Sequence, residues 1–182
     1  PVAAPGNYSV RLIAGRDTLV RQFAVVADPR VKTPTAELVR QFTLALNVRD
    51  RINDVVEGAT RIEDLQSQLD QRVSQSKAGT SGSRVADAAK PLREKLEAIR
   101  AELYEVGCHA DQCTLDQPVK LYNILITING QVQTGDYGPT KQHGEMFADF
   151  SGKVGDQLKK LQALEDSDLV PINKLLTELQ LP

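Results

Sequence analysis

One short stretch crowds several chemically capable side chains together: Cys108-His109-Ala110-Asp111-Gln112-Cys113. Thiolate, imidazole and carboxylate are ligands that zinc accepts, yet four ligands from six consecutive positions rarely close a tetrahedron unaided. The same two cysteines suit a disulfide stapling a small loop in an exported protein. Two free thiols are the third reading. The spacing puts a Cys108–Cys113 disulfide first, free thiols second and a metal site last.

The other histidine, His143, falls near the start of a helical pattern and close to its apolar stripe. A base or ligand role needs a nucleophile or a second ligand in a recognisable setting, and none is visible; a half-covered helix-end residue is the expectation. Glu37, Asp50, Asp54, Glu57, Glu63 and Asp64 are strung along one segment. A pair of such carboxylates is what glycosidic acid–base chemistry requires. Here they alternate with Arg40, Arg49, Arg51 and Arg61, which points to a solvated face with local ion pairs. Gly135-Asp136-Tyr137-Gly138 lacks phosphate-loop spacing and reads as a turn. Asn7-Tyr8-Ser9 matches the glycosylation triplet, a pattern frequent by chance. No catalytic, cofactor-binding or metal-ligating residue is expected, and no cofactor.

Composition narrows the class further. Of 182 residues, 22 are basic and 24 acidic, for a net charge of −2. That balance argues against nucleic-acid or anionic-membrane binding, which calls for clustered positive charge. Hydrophobic residues make up 41% but aromatics only 4%, with no Trp, so the core must be aliphatic. No apolar run approaches the roughly 20 residues of a membrane span.

The elements that must position these groups follow from periodicity. Tyr8, Val10 and Leu12 alternate with their neighbours, Gly15-Arg16-Asp17 gives a short turn, and Leu19–Val26 reads as a second strand. Two strands alone are barely stable in water, so this hairpin needs against it either the helices that follow or a sheet missing from this chain, and the missing sheet is the preferred expectation. Thr33-Pro34 opens a helix carrying Leu38, Phe42, Ala45, Ile52, Val56, Ala59, Ile62, Leu65, Leu69 and Val73, with a bend expected at Gly58. Small polar residues from Ser74 to Ser83 read as a connection. Val85, Ala89, Leu92, Leu96, Ile99, Leu103 and Val106 then alternate four-three, the spacing of a coiled-coil seam. Pro91 places the start of that helix near Ala88 or kinks it. After a loop over Gly107–Gln117, a third helix follows Pro118 with Leu121, Leu125, Ile128 and Val132 on one face. The fourth begins at Pro139-Thr140 with His143, Phe147, Phe150, Val154, Leu158 and Leu161; a short last one is capped by Asp168. The expected fold is mainly α: an up-and-down helical bundle of four long helices plus a short C-terminal one, with an N-terminal β-hairpin. Residues 1–30 form the hairpin part and 31–182 the bundle.

Pro5-Gly6-Asn7-Tyr8-Ser9-Val10-Arg11-Leu12 resembles the closing strands of a bacterial immunoglobulin-like β-sandwich. Val25-Val26-Ala27-Asp28-Pro29-Arg30-Val31 before a long helix, Leu121-Tyr122-Asn123-Ile124-Leu125, and Asp168–Leu176 are similar to the C-terminal region of large exported bacterial proteins. Those proteins carry sortilin-like, BNR-repeat β-propellers and are often named glycosyl hydrolases. The resemblance implies a hairpin left from the sandwich and a helical tail, in an extracellular or periplasmic protein. In that family the propeller would hold any substrate site; no position here matches a family catalytic residue. The expectation is a non-catalytic C-terminal structural and interaction module whose partner is its own upstream propeller or immunoglobulin-like domain. Self-association through the Val85–Val106 seam is a further expectation. The alternatives are a contribution to a glycoside hydrolase site lying mainly in the propeller, or a stand-alone helical adaptor.

Overall fold

The computed structural model describes residues 1–76, 81–104 and 117–180. It has two strands, β1 (Gly6–Ala14) and β2 (Asp17–Val25), and five helices. These are α1 (Thr35–Ser76), α2 (Ser81–Leu103), α3 (Leu121–Val132), α4 (Lys141–Ala163) and α5 (Leu169–Glu178). The fold is mainly α with an N-terminal antiparallel hairpin, as the periodicities predict. The chain divides into two compact units, Pro1–Asp50 with Thr127–Phe147 and Arg51–Ile126 with Ala148–Pro182.

In the first unit, β1 and β2 pair in unbroken register from Gly6↔Val25 to Ala14↔Asp17. The two-residue loop between them is possible because Gly15 takes φ +63°, which a side chain at Cβ would resist. Beyond β2 the chain turns at Asp28, whose carboxylate accepts from the Arg30 backbone N–H at 2.8 Å and from its guanidinium. The entry to α1 is tied to the end of α3 by polar contacts. The Gln41 amide donates to the Val132 and Gly135 carbonyls at 2.7 and 2.6 Å, and the Thr33 hydroxyl donates to the Asp136 carbonyl at 2.5 Å. These bonds take up carbonyls that a helix end and its following turn leave without partners. Gly138 packs so closely against Glu37 that a Cβ there would collide with it.

In the second unit, contacts from α1 define the helix directions. Asp70 pairs with Arg93 and Gln66 meets Glu97, so α2 runs antiparallel to α1. Arg51 donates to Ser151 at 2.9 Å and Arg61 pairs with Glu165, so α4 runs parallel to it. Val55, Ile62, Leu96, Leu103, Leu125, Val154 and Leu161 fill the interior. Gly58 lets α4 approach, since a Cβ at this position would stand 2.6 Å from a Leu158 methyl. Its place in the sequence is explained by that clearance, and α1 runs unbroken for 42 residues, about 63 Å at 1.5 Å per residue.

Four local expectations need correction. The connection read over Ser74–Ser83 is shorter, because α1 continues to Ser76 and α2 is already helical at Ser81. Pro91 does not start α2 near Ala88: the helix already runs from Ser81 and passes through it, without the N–H that would have bonded the Asp87 carbonyl. The buried stripe of α1 uses Val48 and Val55, while Val56 points outward. Asp168 does not cap an independent helix. A π-helical turn over Leu164–Asp168 joins α4 to α5, Asp168 itself is helical (φ −77°, ψ −24°), and its side chain makes no cap bond. Pro171 follows that turn by three residues, and the wider turn leaves room for its ring near the Ser167 carbonyl four residues back.

Candidate functional site

The most unusual surface belongs to the hairpin. In a strand pair, residues directly opposite share a face, and faces alternate along each strand. One face therefore holds the rungs Tyr8↔Phe23, Val10↔Arg21, Leu12↔Leu19 and Ala14↔Asp17, and the other holds Asn7↔Ala24, Ser9↔Gln22, Arg11↔Val20 and Ile13↔Thr18. The first is apolar apart from Arg21 and Asp17. It is also uncovered: Val10 is 54% exposed, Leu12 60%, Leu19 57% and Phe23 49%. Tyr8 and Phe23 stack with ring centroids 6.0 Å apart, and the Tyr8 hydroxyl donates to the Ala4 carbonyl at 2.7 Å, which stiffens the base of this face.

Those four side chains leave roughly 400 Å² of apolar surface in water, comparable with the largest patch of an ordinary monomer. Arg21 donates to the Val20 carbonyl at 3.0 Å and meets no carboxylate among the described residues. The closing rung at a two-residue loop exchanges hydrogen bonds, so the amides and carbonyls of Ser9, Arg11, Ile13, Thr18, Val20 and Gln22 point away from the partner strand. The hairpin thus offers an apolar face and two free edges.

The residues singled out for chemistry come together nowhere among the described residues. Cys108, His109, Asp111 and Cys113 lie outside them, so the candidate disulfide Cys108–Cys113 stays an expectation. His143 serves the start of α4. Its N–H donates to the Thr140 hydroxyl at 3.3 Å, while its Nδ1 accepts from the Thr140 N–H at 3.4 Å, a reciprocal capping pair. Glu37 pairs with Arg40, Asp50 with Arg49 and Asp54 with Arg51, as the charge alternation predicts; Glu57, Glu63 and Asp64 are exposed. Among the described residues no group of three or more His, Cys, Asp and Glu side chains converges as a metal site would demand.

Electrostatics point the same way. Hydrogen bonding from Arg100 holds the Glu97 carboxyl below its ordinary range, the Lys95 ammonium does so for Asp168, and Arg30 does so for Asp28. These are carboxylates kept ionised by cations, the opposite of the raised carboxyl a general acid needs. A cleft of about 550 Å³ between α2 and α4 is lined by Lys95, Ala98, Ile99, Glu102, Gln157, Lys160 and Leu164. Lys95 is engaged by Asp168 at its margin, and among the described residues that line it Glu102 is the carboxylate.

The four-three seam of α2 is spent inside the chain. Val85, Ala89, Leu92, Leu96, Ile99 and Leu103 are all buried in the second unit, so they give no surface to a second copy; Val106 lies outside the described residues. Sequence reasoning found the hairpin's alternation and, from the marginal stability of two strands alone, expected its covering sheet to lie outside this chain; the exposure of Val10, Leu12, Leu19 and Phe23 accords with that. Among the described residues no helix is long and apolar enough to cross a membrane. Comparison with protein-family models, curated proteins and solved structures finds no match.

Proposed function

We propose that this chain is a non-catalytic structural and interaction module, the C-terminal part of a larger exported protein built on a BNR-repeat propeller. One observation carries the reading: a nine-rung hairpin whose apolar face is exposed among the described residues. An isolated pair of strands is marginal in water, and exposed apolar surface of this extent marks a place of contact. The helices supply a scaffold; the hairpin supplies the contact. The resemblance of Pro5–Leu12 to closing sandwich strands supports a β-sheet as the surface it meets.

Hydrogen exchange tests this at dilute concentration. In the intact parent polypeptide the amides of residues 6–25 exchange at least tenfold more slowly than in the isolated chain. Equal rates in both, or a native gene product no longer than this chain, would remove the proposal. Hydrolysis of aryl glycosides by the purified chain would remove its non-catalytic half.

A further inference from the structure

We infer that, where this chain stands apart from the parent polypeptide, the hairpin's apolar face receives the same face of a second copy, forming a two-layer sandwich of four strands. This rests on the docking role given to that face. The observation is a charge pattern that complements itself. Asp17, Leu19 and Arg21 lie at successive positions on the apolar face of β2, and Leu12 stands opposite Leu19. Consider a two-fold axis in the plane between the layers, crossing the strands at the Leu12–Leu19 rung. It lays β2 antiparallel over its own copy, and each Leu19 meets the other.

Asp17 lies two residues to one side of that axis and Arg21 two to the other, each about 6.6 Å away at the rise of a strand. Each Arg21 therefore faces the other copy's Asp17, twice. Such self-complementarity is what an isologous contact demands. It also resolves an otherwise awkward feature, an arginine with no carboxylate in the middle of an apolar face, because a covered guanidinium needs a partner of opposite charge. Sliding the axis by one rung to Val10–Arg21 would set arginine against arginine, so the charges favour the Leu12–Leu19 register over that one.

Area sets the strength. The three rungs that overlap cover roughly 300 Å² per copy, under half of what a standard stable interface contributes from each side, so the dimer is weak and forms in the micromolar range or above. Sedimentation equilibrium of the whole chain from a few micromolar to several hundred micromolar reads it directly. The expected result is a monomer–dimer equilibrium. Leu19→Lys weakens it at least tenfold, as do Asp17→Arg and Arg21→Asp singly, and the Asp17→Arg/Arg21→Asp double variant recovers most of the affinity. That recovery separates pairing across the interface from mere loss of the hairpin. A monomer at every concentration, a dimer indifferent to Leu19→Lys, or no recovery in the charge swap overturns the inference; a monomer leaves strands of the parent protein as the occupant and the interaction role intact.

Discussion

Two adjacent valines on α1 put the packing of the second unit to a sharp test. Val55 is 0% exposed and Val56 is 45% exposed, although both sit in the same helix and both change to alanine with the same gain in helix propensity, about 0.5 kcal/mol. Val55→Ala removes two buried carbon groups worth about 1.6 kcal/mol in transfer from water. The cavity left behind adds about 1 kcal/mol, since neighbouring side chains close over it only in part. The net loss is about 2 kcal/mol. Val56→Ala gives up about half the transfer energy and no cavity, so its net cost stays within about 0.5 kcal/mol. In a chain of this size each kcal/mol moves the midpoint by roughly 2–4 °C, which puts Val55→Ala about 4–8 °C below the parent and Val56→Ala within about 2 °C of it. Thermal melts followed by circular dichroism at 222 nm, together with urea titrations, measure both. Equal shifts for the two variants, or a larger one at Val56, would refute the placement of the buried stripe.

Three further outcomes follow from named contacts. Replacing Gln41 by Met keeps its bulk but strands the Val132 and Gly135 carbonyls, costing about 1–3 kcal/mol in urea unfolding. The Asp168 carboxyl is held below its ordinary value of 3.8, chiefly by hydrogen bonding from Lys95 and then from Ser167. Its contribution to stability is therefore complete above that value and lost as pH falls through the lower folded one, so Asp168→Asn is less stable than the parent near neutrality and the gap narrows below about pH 4; stability measured from pH 2 to 7 displays it. Gly15→Val forces a β-branched residue to φ +63°, at about 1–2 kcal/mol, and speeds hydrogen exchange along β1 and β2 while leaving the helical signal unchanged.

What could be read in advance was whatever follows from local period. The hairpin and α3 were legible because alternation and the Leu121–Leu125–Ile128–Val132 stripe each belong to one period, and β-branching at Ile124–Ile128 could not overcome the absence of a partner strand. The stripe of α1 was harder. Val55 and Val56 are chemically identical, and only the three-dimensional approach of α2 and α4 decides between them. Pro91 and Pro171 show the limit differently: one is absorbed within α2, the other is accompanied by a π turn, and no local rule separates the two. The hairpin's apolar face was visible as a pattern of side chains, and its exposure among the described residues is a tertiary property that alternation alone does not carry. The α2 seam erred in the reverse direction, its regularity serving the interior of this chain.

The nine uninterrupted rungs of the hairpin have a cost in handling. Neither strand contains a proline or a bulge, and the charges within their spans are few, Arg11 in β1 and Asp17 and Arg21 in β2. A strand with so clean a border is a ready template for another strand. On concentrating or warming this chain, fibril growth is expected to begin at the outer rims of β1 and β2 before the helical circular-dichroism signal falls, which thioflavin fluorescence followed alongside that signal would read.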